Sequence, residues 1–284
     1  VKLEKLLIVG IVSTLTMVSC GPRFKGLKGK RDFSPSFSKD SRFSGIIGGS
    51  EVDSSDPIKQ SVVAIYDTVL GKLCTGTLLE NNIVLTAAHC VGPNPEMMLI
   101  LFDTKISQQS ISRQVDKSAV SPYWKMQADA THNTGDIALL HFMGDLPAGY
   151  RPAQLLGDSS VLVDGMEALI AGFGATNGFT GEGPGVLRKT LATVANAHFS
   201  ATEITIDQRT GAGACHGDSG GPAYVKIEQQ YYLWGVTSRG VGAIDNDCTS
   251  FSAYTAVTAH STWIRRMSKK LSRSLVDTDA LLNF

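Results

Sequence analysis

Between residues 46 and 257 the chain is a succession of short β-type runs, five to eight residues long, separated by glycine, asparagine and aspartate. These runs fall at 61–66, 72–79, 83–87, 98–102, 136–142 and 167–173, and again at 187–194, 203–207, 222–227, 231–237 and 251–257. Repeated short strands with turn signals between them predict an all-β sandwich or barrel. The Gly- and Pro-bearing stretch 144–157 divides the runs into two halves of similar size. One helix is expected at the end, where Trp263, Ile264, Met267 and Leu271 share a face and Arg265, Arg266, Lys269 and Lys270 share the other. Its basic face reads as solvated rather than as a membrane contact. Before residue 46 the pattern is different. An apolar run of about 13 residues from Leu6 to Val18 follows Lys2 and Lys5, too short for a bilayer that needs roughly 20. Residues 21–45 then hold Gly, Ser, Pro and Lys with only scattered Phe24, Phe33, Phe37 and Phe43, a composition that predicts a flexible linker.

Composition sharpens this division. The chain has 284 residues, 43% hydrophobic and 18% charged, with 29 glycines, which excludes a disordered tail, a coiled coil and a collagen-like repeat. The net charge of zero conceals +5 over residues 21–45 and −6 over residues 46–284, and a domain of that sign is a poor nucleic-acid binder. Residues 1–19 have the order of a secretory signal peptide. Met17-Val18-Ser19-Cys20 resembles the lipobox of bacterial lipoproteins, in which Cys20 becomes the lipidated first residue, against an ordinary signal peptide with an incidental cysteine. Five cysteines are odd in number; with Cys20 set aside, Cys74, Cys90, Cys215 and Cys248 can pair in an oxidising compartment.

Candidate chemistry sits at three separated places. Gly217-Asp218-Ser219-Gly220-Gly221-Pro222 puts a serine in a glycine-rich turn, where bare backbone can approach a substrate carbonyl. Thr86-Ala87-Ala88-His89-Cys90 ends a strand on a histidine, and Asp136-Ile137-Ala138-Leu139-Leu140 opens another on an aspartate. A serine hydroxyl is a weak nucleophile; it needs a base to take its proton and a carboxylate to fix that base's tautomer. Taken singly, a turn serine, a core histidine and a strand-end aspartate are ordinary. Together, in the order His89, Asp136, Ser219, they resemble the trypsin and chymotrypsin family of serine peptidases over about residues 46–270. His132, His141, His198, His216 and His260 fall in no matching motif, and no zinc spacing occurs.

The resemblance implies two six-stranded antiparallel β-barrels packed together, over 46–150 and 151–257, with a C-terminal helix over 258–274. It implies Ser219 as nucleophile, His89 as general base and acid, Asp136 as orienting carboxylate, and the Gly217 and Ser219 N–H groups as oxyanion hole. Ser238 matches the serine the family sets beside that aspartate, while Arg239 stands where the family usually has tryptophan. Gly213, six residues before the nucleophile, takes the place of an aspartate that binds Arg or Lys; with Gly240 and Ser252 on the walls, an uncharged P1 residue is expected. Asp245 or Asp247, if turned inward, would restore a basic preference. Cys74 and Cys90 each lie eight residues from Asn82, so a hairpin closed at Asn81-Asn82 sets them opposite one another, and the family pairs the matching cysteines. The Cys215–Cys248 pairing is implied by the resemblance alone.

Ile46-Ile47-Gly48-Gly49 resembles the new N-terminus of an activated member, whose α-ammonium pairs with the residue matching Asp218. Gly45 precedes it, not Arg or Lys, so the activating protease is not obviously tryptic. The expectation is an exported zymogen, membrane-held through lipidated Cys20, as an outer-membrane lipoprotein if the source is Gram-negative, and released when cleaved before Ile46. Its partners are a protein or peptide substrate and the activating protease, with no cofactor, metal or nucleic acid. The alternative is a catalytically silent binding or adhesion module of the envelope; silent members usually lose a triad residue, and this chain keeps all three.

Overall fold

The computed structural model describes residues 46–80, 82–124, 132–242 and 248–273, which all belong to one compact unit. The signal peptide, Cys20, the linker, Asp245 and Asp247 lie outside the described residues. The strands are β1 (Ser50–Glu51), β2 (Val62–Asp67), β3 (Lys72–Glu80), β4 (Ile83–Thr86), β5 (Met98–Phe102), β6 (Ile111–Val120) and β7 (Ala138–Phe142). They continue with β8 (Gln154–Leu155), β9 (Glu167–Gly172), β10 (Arg188–Asn196), β11 (Glu203–Asp207), β12 (Pro222–Ile227), β13 (Gln230–Val241) and β14 (Phe251–Ala256).

Two closed six-stranded antiparallel barrels result. The first runs β2-β3-β4-β7-β6-β5 and closes through β2 and β5. The second runs β9-β10-β11-β14-β13-β12 and closes through β12 and β9. Closure pairs each barrel strand on both sides, and the interiors fill with aliphatic side chains, among them Val63, Leu78, Leu85, Ile100 and Leu139 in the first barrel. β6 escaped the hydrophobic pattern because only Val115 of its ten residues is buried. Its neighbours' cores, not its own apolar content, hold it in the barrel. The stretch at the start of the range drawn for the first barrel pairs with the second: Ser50 opposes Lys189, and Ile47 bridges to Gly213.

The helix α1 (Ser261–Leu271) follows a single 3-10 turn at Thr258–His260 and packs on β6 and β7. Trp263, Ile264 and Leu271 are buried, as the sequence pattern requires. Lys117 Nζ donates to the carbonyls of Leu271 and Arg273, satisfying acceptors at the helix C-terminus with a cation of the favourable sign.

Both disulfides form. Cys74–Cys90 spans 16 residues and Cys215–Cys248 spans 33. The first is not a cross-strand pair, however. The ladder sets Leu78 opposite Val84, and Cys90 lies beyond the end of β4 in the 3-10 turn Ala88–Cys90. The bridge therefore ties the histidine-bearing turn back to β3.

Candidate active site

Thr75 on β3 joins the barrels where the chemistry gathers. Its N–H donates to the Ser219 carbonyl at 2.9 Å, its Oγ1 donates to the Gly217 carbonyl at 2.9 Å, and the same oxygen accepts from Phe173 N at 3.0 Å. The turn comes so close that a Cβ on Gly220 would overlap Thr86 Oγ1 and the Thr75 carbonyl, and Gly220 has φ of +80°, so only glycine fits. Thr75 carried no motif; its burial between two barrels is a long-range fact.

His89 sits in the 3-10 turn after β4 and Asp136 just ahead of β7, and β4 pairs directly with β7. The His89 Nδ1–H donates to Asp136 Oδ2 at 2.7 Å, and the His89 backbone N–H donates to Oδ1 at 3.0 Å. Ser238 Oγ donates to the same Oδ2 at 2.6 Å, and Thr255 Oγ1 donates to the Asp136 carbonyl at 3.0 Å. Asp136 is 1% exposed and the His89 side chain 24%, so the carboxylate is shielded from water and the imidazole reaches solvent. Such a carboxylate can hold one imidazole tautomer and stabilise the imidazolium.

Ser219 opens onto a cavity of about 300 Å³ lined also by Gln208, Cys215, Ser238, Arg239, Gly240, Cys248 and Ser252. Ser238, Gly240 and Ser252 thus face the same space as Ser219. Gly213, which the family resemblance sets at the pocket base, lies directly against Gln208, a residue that lines the cavity. The Gly213 backbone is engaged with Ile47, and a Cβ there would overlap the Gln208 side chain. Gln208 is held there by its amide: its Nε2 donates to the carbonyls of Ala214 and Cys248 at 3.1 and 2.8 Å, and its Oε1 accepts from Ala214 N at 2.8 Å. The cavity is thus lined in part by a neutral amide whose donors are both used.

Asp218 is fully buried, with Oδ1 and Oδ2 accepting from Gly174 N and Cys215 N, each at 2.8 Å. Burial pushes its carboxyl up to about 7, against the pull of those two N–H groups and of the Arg188 cation. Ile46 is also fully buried, in the core of the second barrel, and takes φ of +51°, a costly conformation for a β-branched residue. At the opposite wall, Arg239 forms a bidentate pair with Glu203 at 2.8 and 3.0 Å. The two groupings of histidine with cysteines among the described residues, around His89 and His216, use the disulfide cysteines, which have no thiolate to give a metal.

The model of the family described as Trypsin matches residues 46–264. Curated relatives include chymotrypsin-like elastase family member 1 of Canis lupus familiaris, 29% identical over 239 residues, covering 78% of this chain and 92% of the relative. The protein of the same name from Macaca fascicularis is 28% identical over 242 residues, covering 78% and 88%. That from Homo sapiens is 29% identical over 214 residues, covering 68% and 80%.

Proposed function

The chain belongs to the trypsin family, and from that premise we propose that it is a serine endopeptidase acting through Ser219, His89 and Asp136. The observation that carries the reading is the buried Asp136 carboxylate, which receives both His89 and Ser238 beside the cavity that Ser219 lines. Ser219 Oγ attacks the scissile carbonyl as His89 takes its proton, and the oxyanion forms against the N–H groups of Gly217 and Ser219. Collapse passes that proton to the leaving amine and leaves an acyl-enzyme, which water, activated by the same histidine, hydrolyses. The neutral Gln208 amide lining the cavity favours an uncharged P1 residue.

The same proposal includes an exported proenzyme, held at a membrane by lipidated Cys20 and the basic linker, that gains activity and is released on cleavage before Ile46. The test is covalent labelling with a fluorophosphonate. Protein processed to begin at Ile46 should label, the Ser219→Ala variant should not, and chain retaining residues 21–45 should label far more slowly. Absence of labelling in the processed protein would turn the assignment to a silent binding module.

A further inference from the structure

We propose that Glu203 is a positioning residue for Asp136, with Arg239 as its counter-charge; the proposal rests on the peptidase reading above. The starting point is a charge where none is cheap. The Glu203 side chain is fully buried, and a buried carboxylate is tolerated only when paired and hydrogen-bonded. Five donors converge on it. Asn133 N reaches Oε2 at 2.9 Å, while Thr134 N and Thr134 Oγ1 reach Oε1 at 3.1 and 2.8 Å. Arg239 Nη1 and Nη2 supply the other two. These bonds outweigh the cost of burial and hold the Glu203 carboxyl below the usual range, so it is ionised at working pH.

The donors come from two segments that both serve Asp136. Asn133 and Thr134 lie directly ahead of it, in a turn with Asn133 at φ of +52° and Gly135 at +63°. Asn133 Oδ1 accepts from Thr202 N and Oγ1 at 3.1 and 3.0 Å, a second latch on the residue before Glu203. Thr255, which holds the Asp136 carbonyl, is the cross-strand partner of Glu203. One rung of the second barrel therefore fixes the backbone on both sides of the aspartate, across the barrel boundary. Arg239 adjoins Ser238, the other ligand of Asp136. In a regular strand these neighbours would point to opposite faces; the ladder slips between Thr237 and Arg239, and with this bulge Ser238 reaches Asp136 while Arg239 reaches Glu203 and Thr134. Without the Glu203 carboxylate, the approach to Asp136 keeps only the Thr202 latch, and Arg239 beside Ser238 loses its counter-charge.

The experiment is a double-mutant cycle read by fluorophosphonate labelling rate and by kcat and KM on a short amide substrate. Glu203→Gln should lower the labelling rate and kcat about 10- to 100-fold at nearly constant KM, the scale of a small misplacement of a triad member. In an Asp136→Asn background the same change should cost no more than about twofold, because its effect passes through Asp136. Thr134→Val, which keeps the ion pair and removes one bond, should give a smaller loss with the same disappearance, and it decides the matter if Glu203→Gln fails to fold. Equal losses in both backgrounds, or no loss in the parent, overturn the positioning role while leaving the peptidase intact. A parent protein that does not label at all overturns the peptidase reading, and this proposal with it.

Discussion

The two barrels share a strand plan and differ in what they bury. In the first, the buried acids are Asp67, which accepts from the turn N–H groups of Val69 and Leu70, and Asp136, which serves His89. The second buries Arg188, Glu203 and Asp218, with Gln208 and Thr205 among its neutral polar groups. The first barrel presents a histidine just past the end of one strand and an aspartate just ahead of the strand paired with it. The second surrounds Ser219 with polar groups that line its cavity and fill the space behind its turn. The candidate site is thus split across a boundary that Thr75 and Glu203, with Ser238 and Thr255, bridge by hydrogen bonds.

The largest effects expected from breaking this comparison come from the disulfides, one in each barrel. Cys74→Ser with Cys90→Ser should cost about 3 kcal/mol of unfolding free energy, and Cys215→Ser with Cys248→Ser about 4 kcal/mol, since the second closes the longer loop. Their functional signatures should differ. Cys215 and Cys248 line the cavity, so their loss should raise KM, whereas loss of the first bridge should act on kcat through the His89 turn. Chemical denaturation and steady-state kinetics measure both, and equal KM changes in the two variants would contradict the division of labour.

A second effect separates the barrels by pH. The Asp218 carboxyl, at about 7 in the fold, lies above its value of roughly 3.9 in an unfolded chain. The folded state then holds the proton more tightly, so this group subtracts stability as pH rises from about 4 through 7. Cleavage before Ile46 would bring an ammonium to that carboxylate and remove the subtraction. The cleaved protein should therefore melt higher than the uncleaved one by a margin that grows between pH 5 and pH 7.5, by roughly 5 °C. A margin independent of pH would mean that Asp218 is not the partner of the new N-terminus.

The unequal burial also explains what could be read from the chain. Strands with alternating or continuous apolar residues, the helix face of Trp263 and Leu271, and the motifs around His89, Asp136 and Ser219 are local signals, and the fold they imply is the one observed. β6 gave no such signal, because a strand enclosed by its neighbours needs few apolar residues of its own. Arg239 was visible as a departure from the family pattern, but its partner was not, since Glu203 opens a strand and looks like any polar strand end. Gln208 stands beside Arg209 and Thr210 in a polar turn, and only the fold brings Ala214 and Cys248 around its amide. Buried polar residues are matched by distant partners, so their roles are invisible to a local pattern.

The smallest expected effect concerns the pocket floor and sharpens the contrast between a visible motif and a hidden residue. Gly213 aligns with the family's specificity position, yet the side chain in the cavity is that of Gln208. If the floor is set by Gln208, then Gln208→Ala removes the amide, opens depth, and strips Ala214 and Cys248 of their hydrogen-bond partners, which water would then satisfy. The P1 profile should move toward longer side chains by about 10-fold relative to the parent, the discrimination that one or two methylenes of pocket depth supply. Gly213→Asp in the parent should not create a preference for Arg or Lys, because Gln208 already fills the space its Cβ would need. Gly213→Asp combined with Gln208→Ala should create one, since the new carboxylate then has room to face the cavity. A peptide library scanned at P1 measures all three variants. An unchanged profile in Gln208→Ala, or a basic preference in Gly213→Asp alone, would return the floor to Gly213.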